Sequence, residues 1–220
     1  MKTSAMKCIT ANFALAITLA LLAGCASHSY DKGAATSNAL SSTADAVSLV
    51  STNVNNVLAA MNNLTFKSAG DLRNQYDAFV SASKGLDSSM ANLDSKVVSL
   101  RATAADYVSN WTNQMASIQN EELRKRSSDR KDEVSGKIND VEASYQSVTN
   151  SLAPFTSDVK DIQTYLGTDL TPTGLNTIKD LVAKTKVDAV PLRDSIKKLQ
   201  GNFDSLSMAL SPVMPAPETK

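Results

Sequence analysis

Thiol and imidazole chemistry is scarce in this chain: Cys8, Cys25 and His28 are all that its 220 residues contain. A metal site needs several such ligands converging, and His28 has no histidine partner. It reads as a solvated surface residue. Serines are plentiful, but no histidine follows position 28 to complete a serine triad, and no motif marks a serine–lysine dyad. Gly136-Lys137 lacks the upstream glycine of a phosphate loop. The expectation is a protein with no catalytic residue, no metal and no cofactor. One group remains with a clear chemical opportunity. Cys25 follows the small residues Ala23 and Gly24, where an extended backbone can enter a peptidase site and the thiol can accept a diacylglyceryl group.

The residues before Cys25 support that chemistry. Met1 to Lys7 carries two lysines and no acid, and Phe13 to Ala23 is an apolar run of signal-peptide length. A spanning helix wants about 20 apolar residues, and Thr10, Asn12, Thr18 and Gly24 dilute any longer stretch. Leu22-Ala23-Gly24-Cys25 resembles a lipobox, the recognition site of lipoprotein signal peptidase. The resemblance implies a leader over 1–24, with Leu22, Ala23 and Gly24 recognised by the peptidase and Cys25 lipidated. Several acyl chains, at about 0.8 kcal/mol per buried CH₂, make such an anchor effectively permanent. Ala26 is not the aspartate associated with inner-membrane retention. By likeness to sorted lipoproteins, that points to the outer membrane, facing the periplasm. With Cys8 in the leader, the mature chain keeps Cys25 alone, so a disulfide framework is excluded.

Charge excludes another class. Basic and acidic residues balance at 22 each, and loss of Lys2 and Lys7 leaves 20 against 22, a formal charge of −2. A general nucleic-acid binder would be basic. Sparse aromatics, few glycines and many small residues suit long thin helices.

Ala26 to Asn38 is polar and small, and residues 25–38 read as a flexible tether. From Leu40 a heptad repeat takes over. Leu40, Val47, Val54 and Met61 alternate with Thr43, Val50, Val57 and Leu64, predicting a helix over about 37–65. A second helix, about 70–118, follows the seam Leu72, Tyr76, Phe79, Leu86, Met90, Leu93, Val97, Leu100, Ala104, Tyr107 and Trp111, with Ser83 as its polar exception. Asn120 is a good N-cap and Glu121-Glu122 suit a helix start, so a reversal is placed there. The third helix, about 121–166, carries Val134, Ile138, Val141, Tyr145, Val148, Leu152, Phe155, Val159, Ile162 and Leu166. Gly167 is read as its stop. Thr171-Pro172 opens a last helix, about 172–210. Pro154 and Pro191 are expected to bend their helices.

The fold expected is therefore all-α: an elongated antiparallel bundle of about four long helices with coiled-coil-like packing. The bundle domain is placed at 39–210, with the far ends of the second and third helices projecting as a two-helix hairpin. Residues 211–220, with three prolines, form a disordered or extended tail.

Two surface features are candidate partner contacts. The run 121–133 holds Arg124, Lys125, Arg126, Arg130 and Lys131, balanced by five acids, and reads first as a solvated face with internal ion pairs. Trp111, with Tyr107 and Met115, is the largest aromatic cluster; aromatics carry interface energy, but the seam phase turns this one inward. Terminal Lys220 offers a potential link to the cell wall. The implied partners are a membrane, reached through acyl chains, and an envelope protein or the cell wall, with no nucleic acid. The reading is a non-enzymatic envelope module. The alternative is a membrane-acting helical protein, a hydrophobic-ligand carrier or a pore former.

From Trp111 onward the chain resembles a bacterial family catalogued as domain of unknown function 2959. Trp111, Ile118-Gln119-Asn120, Leu123-Arg124, Ser127 and Arg130 carry the likeness, with Leu152-Ala153-Pro154, Asp161, Tyr165-Leu166, Leu170 and the helix from Leu175. The resemblance implies an all-helical, envelope-associated protein and brings no site residues with it.

Overall fold

A computed structural model describes residues 25–67 and 70–211, with side chains from Asp31 onward. Every element among them is helical: α1 (Cys25–Phe66), α2 (Leu72–Met115), α3 (Glu121–Thr168), the short α4 (Pro172–Thr177) and α5 (Lys179–Leu210). At 1.5 Å per residue, α2 is about 66 Å long and α3 about 72 Å.

The four long helices run up, down, up and down, and inter-helix hydrogen bonds fix each register. Between α1 and α2, Thr36 reaches the Thr103 carbonyl, Thr43 that of Lys96, and Asn53 that of Gly85. Between α3 and α5, Lys137 meets Ser205 and Lys184 meets Asp158. Lys186 to Asn62 and Arg193 to Asn55 tie α5 to α1. Arg101 to Glu142 and Tyr76 to the Gln163 carbonyl tie α2 to α3. In each pair the numbers rise on one helix as they fall on the other, so all four neighbours are antiparallel.

The core is the heptad seam. Leu40, Val47, Val50, Val54, Val57, Met61 and Leu64 line α1, and Phe79, Phe155 and Phe203 are the largest side chains wholly inside. Most of the buried hydroxyls are satisfied within their own helices, Thr65 being the exception. Thr43 donates to the Ala39 carbonyl at 2.7 Å, and Ser83 to that of Phe79 at 3.0 Å. Such back-bonding lets a hydroxyl occupy a core position without an unpaired donor.

The turns follow the expected chemistry at three places. Asp71 caps α2 through the Arg73 amide, directly after Gly70, whose φ of 77° is a left-handed conformation open to glycine. Asn120 accepts the Leu123 amide at 2.9 Å, and Thr171 accepts that of Gly174 at 3.0 Å. Gly174 has a steric role too, since a Cβ there would lie 2.2 Å from the Asp169 carbonyl oxygen.

Four expectations are corrected. Residues 25–38 are part of α1, so they form no tether and the bundle extends beyond the boundary placed at 39. The heptad continues backward through Thr36, fully buried, and Gly33, which faces the Tyr107 ring; small residues fill those positions because α2 presents a bulky one. Consequently the projecting end consists of three helices. Arg130 meets the Ala209 carbonyl at 2.6 Å, so α5 ends level with Arg130 while α1, α2 and the start of α3 run on. Gly167 does not stop α3, which continues to Thr168 with Asp169 as its cap. The last helix divides at Ile178 into α4 and α5.

Both helices that contain an internal proline run through it. Pro154 and Pro191 are exposed, and so are Asn150 and Val187, whose carbonyls lose their usual partner. Water can satisfy both. Residues 1–24, read as a leader, and 212–220, read with Ser211 as a tail, lie outside the described residues.

Candidate functional site

Leu22, Ala23 and Gly24 lie outside the described residues, and Cys25 is the first residue of α1. The antiparallel pairing settles which end of the bundle Cys25 occupies. The side chains of Lys32 and Asp106 pair, and Thr36 bonds to Thr103. Followed toward the start of α1, the same register brings its first residue level with the last turn of α2. The α2–α3 turn therefore sits at the Cys25 end.

The partner-contact candidates gather at this end. The indole N–H of Trp111 donates to Ser127 Oγ at 2.9 Å, a link from α2 to α3. Tyr107 packs against Trp111 with ring centroids 5.5 Å apart, and burial raises its phenol pKa above the ordinary value. Trp111 is half-buried and spends its one polar group inside the protein, as its seam phase implies.

The charged run is paired within its own helix. Lys125 meets Asp129 at 2.7 Å and Arg126 meets Glu122 at 2.6 Å, both one helical turn apart. Arg124 lies 4.0 Å from Glu121 and also donates to the Ile118 carbonyl. These are exposed pairs of small energetic weight, and they leave no cationic patch.

A feature absent from the sequence reading lies between α2 and α3, the least extensively packed of the four neighbouring pairs of long helices. A groove of about 420 Å³ opens there, lined by Ala104, Ala105 and Val108 on one side and Ser135, Ile138 and Asn139 on the other. Its end farther from the α2–α3 turn is closed by Arg101 and Glu142, joined by two hydrogen bonds of 2.7 and 2.5 Å. Hydrogen bonding to Arg101 holds the Glu142 carboxyl below its usual range. Beside this pair, Tyr145 donates to Asp94 at 2.6 Å while the Arg101 guanidinium lies 5.5 Å from its ring centre. Burial, reinforced by the bond to Asp94, pushes the Tyr145 phenol up to about 12. These partners lie 41 and 51 residues apart in sequence. Heptad periodicity marks seam positions on single helices, so it could not join them without the inter-helix register.

No group of three or more metal-ligating side chains converges among the described residues. No described helix is long and apolar enough to cross a membrane.

A family model matches residues 28–206, most of the chain, and its description is "Protein of unknown function (DUF2959)". The chain belongs to that family. Neither a curated protein nor a solved structure matches it. The DUF2959 match takes in the early part of α1 as well as the region from Trp111 onward.

Proposed function

We propose that the protein is a lipid-anchored envelope lipoprotein acting as a non-enzymatic structural or interaction module, held through Cys25 on the periplasmic face of the outer membrane. One observation carries the reading: Leu22-Ala23-Gly24-Cys25 stands directly after a basic start and an apolar run, which is the order signal-peptide chemistry requires. The fold supports it in a simple way. α1 is helical from Cys25 on, so an acyl-bearing cysteine passes straight into the bundle, and the bundle presents long polar faces with their ion pairs satisfied. Crosslinking in intact envelopes followed by recovery of the protein tests the interaction role. Defined partners or assemblies in the recovered material support it; recovery of the protein alone contradicts it.

The α2–α3 groove favours a second reading, a carrier of hydrophobic ligands. Titration with a fluorescent fatty acid decides it. Saturable enhancement that Ile138→Arg abolishes supports the carrier, and no saturable change removes it. A pore is disfavoured, because the seams are interrupted by Thr36, Thr43, Ser83 and Thr185.

A further inference from the structure

Among the described residues, the Cys25 end of the bundle carries an apolar side chain that is more than half exposed. α5 stops level with Arg130, so the first two turns of α3 run on without it. In the first of those turns, just after the Asn120 cap, Leu123 is 56% exposed. Side chains on an α-helix lean toward its N-terminus. At this position that means outward, past the end of the bundle, on the side where α1 begins.

We propose that this end rests on the bilayer surface, with Leu123 entering the interfacial layer of the leaflet that holds the acyl chains of Cys25. The inference rests on the lipoprotein reading and adds an orientation and a second membrane contact to it. The occupant is a lipid surface because the acyl-bearing residue already lies in α1, level with the last turn of α2. No linker separates the anchor from the α2–α3 turn, which is brought to the bilayer wherever the lipid goes. The chemistry of the contact follows from the charges around it. Arg124, Lys125 and Arg126 each hold an acid of their own helix. The contact is therefore apolar, and it needs neither anionic lipid nor low salt.

A single-thiol form of the full chain tests this. Cys8 leaves with the leader and acylation consumes Cys25, so Leu123→Cys supplies the one free thiol, to be labelled with an environment-sensitive fluorophore. Val187→Cys serves as the reference, since Val187 is 67% exposed on α5, well away from the Cys25 end. The acylated variants go into phosphatidylcholine vesicles, and iodide quenching is read with and without added salt. The expected result is a blue-shifted label at 123, quenched several-fold less than the label at 187 and unaffected by salt. If the protein floats with the vesicles but both labels quench equally, the orientation is wrong and the anchor stands. Protection at 123 that disappears in salt also overturns the apolar contact. If the mature chain carries no acyl mass and does not float, the lipoprotein reading has failed and this inference fails with it.

Discussion

Tyr145 shows what a single residue does at the α2–α3 boundary. Its hydroxyl donates to Asp94, and burial together with that bond moves the phenol from 10.0 to about 12. Between those values the folded protein keeps a proton that the unfolded chain has lost. Stability contributed by this group is therefore fully present below pH 10.0 and is lost as pH rises toward about 12. Urea unfolding across that window should show stability falling more steeply in the wild type than in Tyr145→Phe. Equal slopes would mean that the phenol is not held in its neutral form. The cluster was not legible in the sequence, because its members belong to two helices whose relative register only the folded bundle sets. Asn120 was legible, since a cap acts on its own helix. Asn120→Ala should cost about 1 kcal/mol, lowering the melting temperature by roughly 2–4 °C. An unchanged melting temperature would show that the turn is held by other contacts.

At the level of elements, the large seam residues located α2, α3 and most of α1 from spacing alone. Leu86, Leu93, Val97 and Leu100, for example, are all buried where the heptad put them. What spacing missed is the start of α1, where the repeat continues in Gly33 and Thr36. Residues of that size register as polar coil until a neighbouring helix presents Tyr107 to them. The stop assigned to Gly167 failed for a related reason: glycine is permitted at a helix end, and α3 has enough buried contacts through Leu166 to carry on past it. Gly174 is the most crowded of the described glycines. Gly174→Ala would drive a methyl into the Asp169 carbonyl oxygen, 2.2 Å away, so a loss of about 1–3 kcal/mol is expected. Chemical denaturation measures it, and a neutral result would mean that the α3–α4 turn can shift to make room.

Over the whole molecule, four antiparallel helices of about 50–70 Å make a rod with two different ends. One end carries the Gly70 and Thr171 turns. The other carries Cys25, the α2–α3 turn and the three-helix overhang. A globular chain of about 200 residues has a radius of gyration near 16 Å, whereas a rod of about 70 Å gives roughly 22 Å. Small-angle scattering of residues 25–211 should return the larger value, and the compact one would contradict the extended arrangement. The proposed envelope role depends on Cys25 being the anchored residue, and intact mass spectrometry of the protein purified from membranes tests that most directly. The account predicts a mature chain that begins at Cys25 and carries diacylglyceryl and acyl mass, both abolished in Cys25→Ala. A chain that retains its first 24 residues, or begins elsewhere with an unmodified cysteine, would contradict it.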